Sequence, residues 1–369
     1  MERRLALEMA KRGHEVRIIA PGKHYWDYVE KDGKTIIYRQ KSDILLLAPS
    51  YRISFWPFFS VPKIIRKFKP DVIHIHNNAL IGQAVLRSAL RNKIPVLGTN
   101  HFMPENALLN IPHILSKPLS KLIWRSIVKF YNKCNFVTSP TQTAVNMLIE
   151  RGLKTPSEPI SNGVDLKIFK PAPQSKEEYK NLYKLPQKPI VLYLGRVNKE
   201  KRLDILLKAV SLVLKEIDAT FLIVGDGNAM SSLKNLARAL GIEKNVIFYG
   251  KVSEENKPKM YQLADVFAIS SPAELQSIVT LEALACGLPA VSCNVCALPE
   301  LVHDNENGYL FSLEDYPRMA QGIIKILKNP KLKEKMGKKS LEIAKNHSRE
   351  KSFDKFEKLY KELKEVTYG

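Results

Sequence analysis

The chain has 369 residues, 45% hydrophobic and 26% charged, a balance that excludes a disordered polymer and allows two domains with their own cores. No apolar run approaches the length of a membrane span, and Met1-Glu2-Arg3-Arg4-Leu5-Ala6 has no signal-peptide core, so the expected residence is the cytoplasm. A formal charge of +21 calls for a polyanionic partner, whether nucleic acid, anionic lipid or phosphorylated substrate, although glutamates interleaved with the lysines near the C-terminus mark part of it as solvated face.

In chain order, residues 3–12 read as an amphipathic helix closed by Gly13. Strands are expected at 15–20, 44–47, 72–76, 95–99 and 135–138, with helices at 62–69, 81–91, 115–133 and 142–151 between them. After Asn162-Gly163-Val164-Asp165 and Phe169-Lys170-Pro171 a polar segment to residue 188 reads as an interdomain connection. A second series follows, with strands at 189–194, 220–224, 246–249, 266–270 and 289–292 and helices at 204–217, 230–240, 257–263 and 277–286. The fold class is therefore α/β, two doubly wound, Rossmann-like domains facing a central cleft at the carboxyl ends of their strands. The expected domains are 1–171 and 172–347, with a charged helix at 348–369 packing back on the first.

Several polar groups fall at strand ends in the second series. Gly195 and Arg196 follow its first strand, with Lys201 five residues beyond Arg196; Gly225-Asp226-Gly227 closes the next. Glycine permits a tight turn and close approach to a ligand, and the two cations suit a diphosphate. Glu274 follows the strand at 266–270, and Glu282 lies eight positions on in a helix that stops at Gly287 and Pro289. Cys286, Cys293 and Cys296 with His303 loosely imitate a zinc spacing, but a lone C-x-x-C is a weak signal, and buried thiols fit these positions as well.

In order and spacing, Gly195-Arg196 with Lys201, Gly225-Asp226-Gly227, Glu274 with Glu282, and Ala285-Cys286-Gly287-Leu288-Pro289 resemble the retaining glycosyltransferases of the GT-B fold, the group 1 or family 4 set. Asn162 to Asp165 with Phe169 and Pro171 is similar to that family's interdomain signature. The resemblance implies that Arg196 and Lys201 bind the donor diphosphate and neutralise the leaving group, with neither metal nor cofactor required. It implies that Glu274 holds the transferred sugar, with the amides of Gln276, Ser277 and Ile278 near sugar and phosphate. Glu282 would take the ribose hydroxyls, and the Lys251-Val252 backbone would meet the base. Gly195, Gly225 and Gly227 would line the same donor site. His101, after the strand at 95–99, would contact the donor sugar; His74 and His76 are expected to be structural.

The acceptor is expected to be a lipid or a glycan. Lys117, Lys121, Arg125, Lys129 and Lys133 recur every fourth residue and drift over about 160° of a helix surface. Opposite them fall Leu119, Ile123, Trp124, Ile127, Phe130 and Tyr131, which suits either a peripheral seat on an anionic membrane, on its inner face, or a core-facing helix with a solvated back. The aromatic run from Tyr51 to Phe59 beside Lys63, Arg66, Lys67 and Lys69 reads the same two ways. Leu275-Gln276-Ser277, where many family members carry Gly-Phe-Gly, resembles the subset that glucosylates diacylglycerol. The family also opens with a strand and a Gly-Gly loop absent here, so the chain as written is expected to be weakly active or inactive. A soluble or polysaccharide acceptor, a sugar-nucleotide epimerase, and a non-catalytic GT-B protein that binds membrane are the competing readings; no nucleic acid is expected.

Overall fold

The computed structural model describes residues 1–45, 48–54, 56–108, 113–172 and 175–368. Leu46 and Leu47 of an expected strand, and Phe55 of the aromatic run, lie outside them. The chain divides into two compact units, Met1–Ser161 with Ser352–Gly369, and Asn162–Lys351. The division falls ten residues before the expected boundary at 171, and from Ser352 the C-terminal helix belongs to the first unit.

The second unit is a six-stranded parallel sheet in the spatial order Val246–Gly250, Thr220–Val224, Ile190–Leu194, Val266–Ile269, Ala290–Cys293, Gly308–Phe311. Numbered by sequence, this is 3-2-1-4-5-6, the doubly wound order. Every residue of the four inner strands is buried, which is why they read as unbroken apolar runs rather than alternating ones. The outer strand Gly308–Phe311 was missed by the pattern because its Tyr309 and Leu310 are only half covered. Between Ile190–Leu194 and Val266–Ile269 the winding reverses, so the loops after these two strands diverge and leave room for a ligand. At the opposite end of the same strands Asp265 accepts from the Ile190 amide (3.0 Å), Lys176 (3.0 Å) and Lys333 (2.7 Å). Burial alone would raise this carboxyl; the two lysines outweigh it and hold it at about 2.

The first unit has a four-stranded parallel sheet, Ile73–Ile75, Val96–Thr99, Phe136–Ser139 and Ser157–Pro159. A separate sheet pairs Arg17–Pro21 in parallel with Thr35–Gln40, which also pairs antiparallel with the strand before it, Tyr28–Asp32. Asp43–Leu45 and Ala48–Ile53 form a further antiparallel pair. Among the described residues Arg17–Pro21 and Ile73–Ile75 share no ladder, so they belong to separate sheets rather than to the one continuous sheet expected for this domain. Leu5 and Met9 of the first helix pack with Phe353, Phe356, Leu359 and Leu363 of the last, each contributing on the order of 1.5–3 kcal/mol of burial. Arg12 also pairs with Glu357 at 2.7 Å, and His74 bonds the Tyr360 hydroxyl at 2.7 Å.

Candidate functional site

The loops after the first two strands of the second unit are built against each other. The Gly195 amide donates to Val224 O (3.0 Å), that of Val197 to Asp226 O (2.9 Å), and that of Ala229 to Val197 O (2.9 Å). Gly225 has φ +137, and a Cβ there would stand 1.8 Å from Gly195 O; one on Gly227 would stand 2.2 Å from Asn198 Oδ1. These glycines are required by loop-to-loop approach. The Gly225 amide is spent on Gly250 O (2.8 Å) and that of Gly227 on the Asp226 carboxylate (2.8 Å).

Lys201 ends a short helical turn, Lys199–Lys201, and the next residue, Arg202, is left-handed at φ 49. The Ser270 hydroxyl, at the end of Val266–Ile269, reaches the carbonyl oxygens of Lys201 (3.1 Å) and Arg202 (2.8 Å) and fixes this turn. The Lys201 ammonium then lies 2.6 Å from Glu274 Oε1 and 3.3 Å from Ser271 Oγ. The two loops flanking the winding reversal are thus joined through a lysine–carboxylate pair whose side chains are only 12% and 16% exposed. Arg196 is 67% exposed and pairs loosely with Glu200 at 3.4 Å. One cation is preorganised; the other is free to turn toward an incoming anion.

The Glu274 loop is also held from behind. The Cys293 thiol donates to Ser271 O (3.0 Å), that of Cys296 to Pro272 O (3.3 Å), and the Ala297 amide to Glu274 O (3.2 Å). The cysteines therefore serve the loop, while His303 faces Glu306 at 3.7 Å; the four residues of the zinc-like spacing do not converge. Gln276 is buried and its Oε1 accepts from the Asn162 amide (2.8 Å), so it anchors the segment that opens the unit. Ser277 caps the Ile278–Ala285 helix through the Thr280 amide at 3.3 Å.

Glu282 lies in the second turn of that helix, 5% exposed. Lys257 Nζ and the Tyr261 hydroxyl each donate to it at 2.8 Å. Burial raises its carboxyl, opposed by Lys257 and Tyr261. A carboxylate offers about four lone-pair sites, so these two bonds leave acceptor capacity for a further hydroxyl. The Lys251 side chain is exposed and approaches Asp226 at 3.6 Å, and Val252 packs on the core. Ser270, Lys257 and Tyr261 were not singled out in the sequence, and Cys293 and Cys296 only for a zinc-like spacing, because their partners lie about 20 to 70 residues away and no local spacing announces them.

In the first unit His101 follows Val96–Thr99, its Nε2 3.2 Å from Nδ1 of His76. Burial lowers it to about 4, so the ring is neutral at pH 7. His74 is structural: its ring nitrogens meet Tyr360 and Thr99. Lys117, Lys121, Arg125, Lys129 and Lys133 are all exposed. The arc opposite is mostly core-facing, since Trp124, Ile127, Phe130 and Tyr131 are buried, although Leu119 of that arc is exposed. Trp124 donates to Glu105 (2.9 Å) and carries Arg151 over its ring at 4.5 Å. The leucines that do face outward are Leu115, Leu119 and Leu122.

Comparison with known proteins agrees with this architecture. Residues 3–168 match the family model "Glycosyltransferase Family 4" and residues 175–342 match "Glycosyl transferases group 1". The N-acetyl-alpha-D-glucosaminyl L-malate synthase of Bacillus anthracis is 24% identical over 96% of the chain and 91% of its own length. The alpha-monoglucosyldiacylglycerol synthase of Streptococcus pneumoniae is 29% identical over 84% of the chain and 70% of its own. The sucrose-phosphate synthase structure from Thermosynechococcus elongatus superposes with a TM-score of 0.77 at 22% identity, over 98% of this chain and 92% of that one, which speaks for the fold alone. With one family model on each unit and the GT-B architecture throughout, the chain belongs to the GT-B glycosyltransferases of family 4 and group 1.

Proposed function

We propose that this glycosyltransferase, which moves a hexosyl group from a nucleotide sugar, works with retention of configuration and delivers the sugar to a lipid at an anionic membrane surface. The donor site is the loop pair around Lys201 and Glu274. There Lys201, with Arg196 swinging in, neutralises the departing diphosphate without need of a metal, as preorganised charge does for a developing anion. Glu274 is already engaged by Lys201, which suits an acceptor for sugar hydroxyls better than an attacking nucleophile. Retention then follows departure and attack on one face of the sugar, with Glu282 left to receive a ribose hydroxyl and the Lys251-Val252 backbone beside the base.

The lipid acceptor is carried by one observation: the solvent face of His113–Tyr131. At 100° per residue Leu115, Leu119 and Leu122 fall within about 60° of one another, directly beside the row formed by Lys121, Arg125 and Lys129. Leu115 and Leu122 are 60% and 62% exposed. Apolar side chains bordered by cations favour a headgroup interface. The same unit exposes Trp56 and Phe59 next to Lys63 and Arg66. The pneumococcal relative's name includes diacylglycerol, which agrees; the Bacillus relative's includes malate, and a small acid is the alternative acceptor.

Vesicle flotation separates them. The chain should float with anionic phosphatidylglycerol vesicles and not with phosphatidylcholine, with binding lost at high salt. Replacing Leu115, Leu119 and Leu122 by Ser should release it while leaving donor hydrolysis intact. Equal flotation of the triple variant would refute the lipid reading.

A further inference from the structure

A second cluster of donor atoms lies at the carboxyl end of the first unit's parallel sheet. Ile73–Ile75 and Val96–Thr99 are neighbours in register, so the residues just beyond them, His76 and His101, come side by side. Nδ1 of His76 is 3.2 Å from Nε2 of His101, with the rings 14° from parallel. Glu2, in the first turn of Glu2–Lys11, adds a carboxylate, and one donor atom from each of the three side chains lies within 4.8 Å of the others. A histidine pair alone needs only its hydrogen bond, which does not account for the carboxylate converging on the same point.

We propose that Glu2, His76 and His101 form a binding site for a divalent transition-metal ion of the zinc type. Zinc–nitrogen bonds of about 2.0–2.1 Å at a tetrahedral angle put two ligand nitrogens about 3.3 Å apart, close to the separation found here. Two imidazoles and a carboxylate make a nitrogen-rich set that suits zinc, cobalt or nickel and disfavours calcium and magnesium, leaving a position for water. Imidazole binds a metal in its neutral form, through the ring nitrogen that carries no proton. The proton shared between them moves to the other nitrogen of its own ring when the ion takes its place, and none is released. Glu2 is exposed, so its side chain closes the remaining distance by rotation. His74 offers no ligand, since Tyr360 and Thr99 occupy its nitrogens, but its ring centroid lies 3.9 Å from that of His76 and holds that imidazole in place.

The test uses the tag-free full chain, treated with a chelator and titrated with cobalt(II). Visible ligand-field bands should saturate at one equivalent and be erased by zinc. Glu2→Gln, a surface change, should weaken cobalt binding at least about tenfold, and His76→Ala and His101→Ala should abolish the bands. Absence of bands and of binding heat in the unmodified chain would overturn the proposal. Thiolate charge-transfer bands would also overturn it, by placing the ion on cysteine. Because His101 is also the histidine assigned to sugar transfer, zinc should inhibit turnover of the unmodified chain and spare Glu2→Gln at the same concentration. Binding without inhibition would uphold the metal site and remove His101 from the reaction.

Discussion

Replacing Lys201 by alanine tests the core of the proposed donor site. The ammonium stands 2.6 Å from Glu274 Oε1, and both side chains are largely covered. At an effective dielectric constant of about 20 the gross attraction across that distance is about 6 kcal/mol, most of it offset by desolvation. Removing the cation has two effects. It leaves a mostly buried carboxylate without its partner, which costs the fold up to about 3 kcal/mol. On the proposed donor site it also deletes one preorganised charge aimed at the leaving diphosphate, worth about 10²–10³ in kcat. Part of the lysine charge is already answered by Glu274, so the lower end, about a hundredfold, is expected. The assay is release of nucleoside diphosphate from the donor, run beside urea unfolding to separate catalysis from stability. Glu274→Gln and the double variant complete a cycle: if Lys201 acts chiefly by holding Glu274, the two effects will not add. A folded Lys201→Ala protein whose kcat stays within about threefold of the parent would refute the assignment.

Gly225→Ala should be destabilised by more than the roughly 1–3 kcal/mol of backbone strain at φ +137, because the new Cβ meets Gly195 O. Gly13→Ala, at φ +96 with open space around it, isolates the strain, and equal thermal shifts in the two variants would show that the loops yield. Lys257→Met should destabilise the fold by about 3 kcal/mol and raise the donor KM, since Glu282 keeps only Tyr261; unchanged urea midpoint and KM would contradict its role. Acid should also weaken the fold. His74 is lowered to about 3 by burial and then by His101, and His101 to about 4, against about 6.5 in the unfolded chain. Between those values the unfolded chain binds more protons, so stability is full above about 6.5 and falls as pH drops. At pH 5 each imidazole that stays neutral should cost about 2 kcal/mol, read as a lower urea midpoint with chelator present; equal midpoints at pH 7 and 5 would exclude the effect.

What the sequence made legible depends on how far apart the cooperating atoms are in the chain. The second unit's inner strands could be read because complete burial leaves continuous apolar runs, and the glycine and glutamate positions stand at the ends of those runs. Tyr28–Asp32 and Thr35–Gln40 were not legible: Tyr28, Glu30 and Asp32 are half-buried at the edge of a small sheet, between exposed Val29 and Lys31. The basic helix was legible as a helix, but not its orientation. Periodicity assigned Trp124 to the apolar side, yet whether that side meets lipid or protein depends on Glu105 and Arg151, on other elements.

The same limit explains the difference between the donor motifs and their supports. Glu274 and Lys201 are 73 residues apart and were joined in the sequence only by resemblance, whereas their contact in the structure depends on Ser270 and the two cysteine thiols. Family motifs mark groups that touch the substrate. The residues that aim those groups answer to whichever backbone carbonyl happens to pass nearby, so their identities vary with the local packing and carry no fixed spacing. Gly225 and Gly227 belong to this second class although they look like the first: their amides are engaged within the protein, and what they supply is the absence of a Cβ where two loops cross. The position of Lys201 therefore follows from backbone packing around it, and a donor site of this kind should be lost through its supporting loops as readily as through its charged groups.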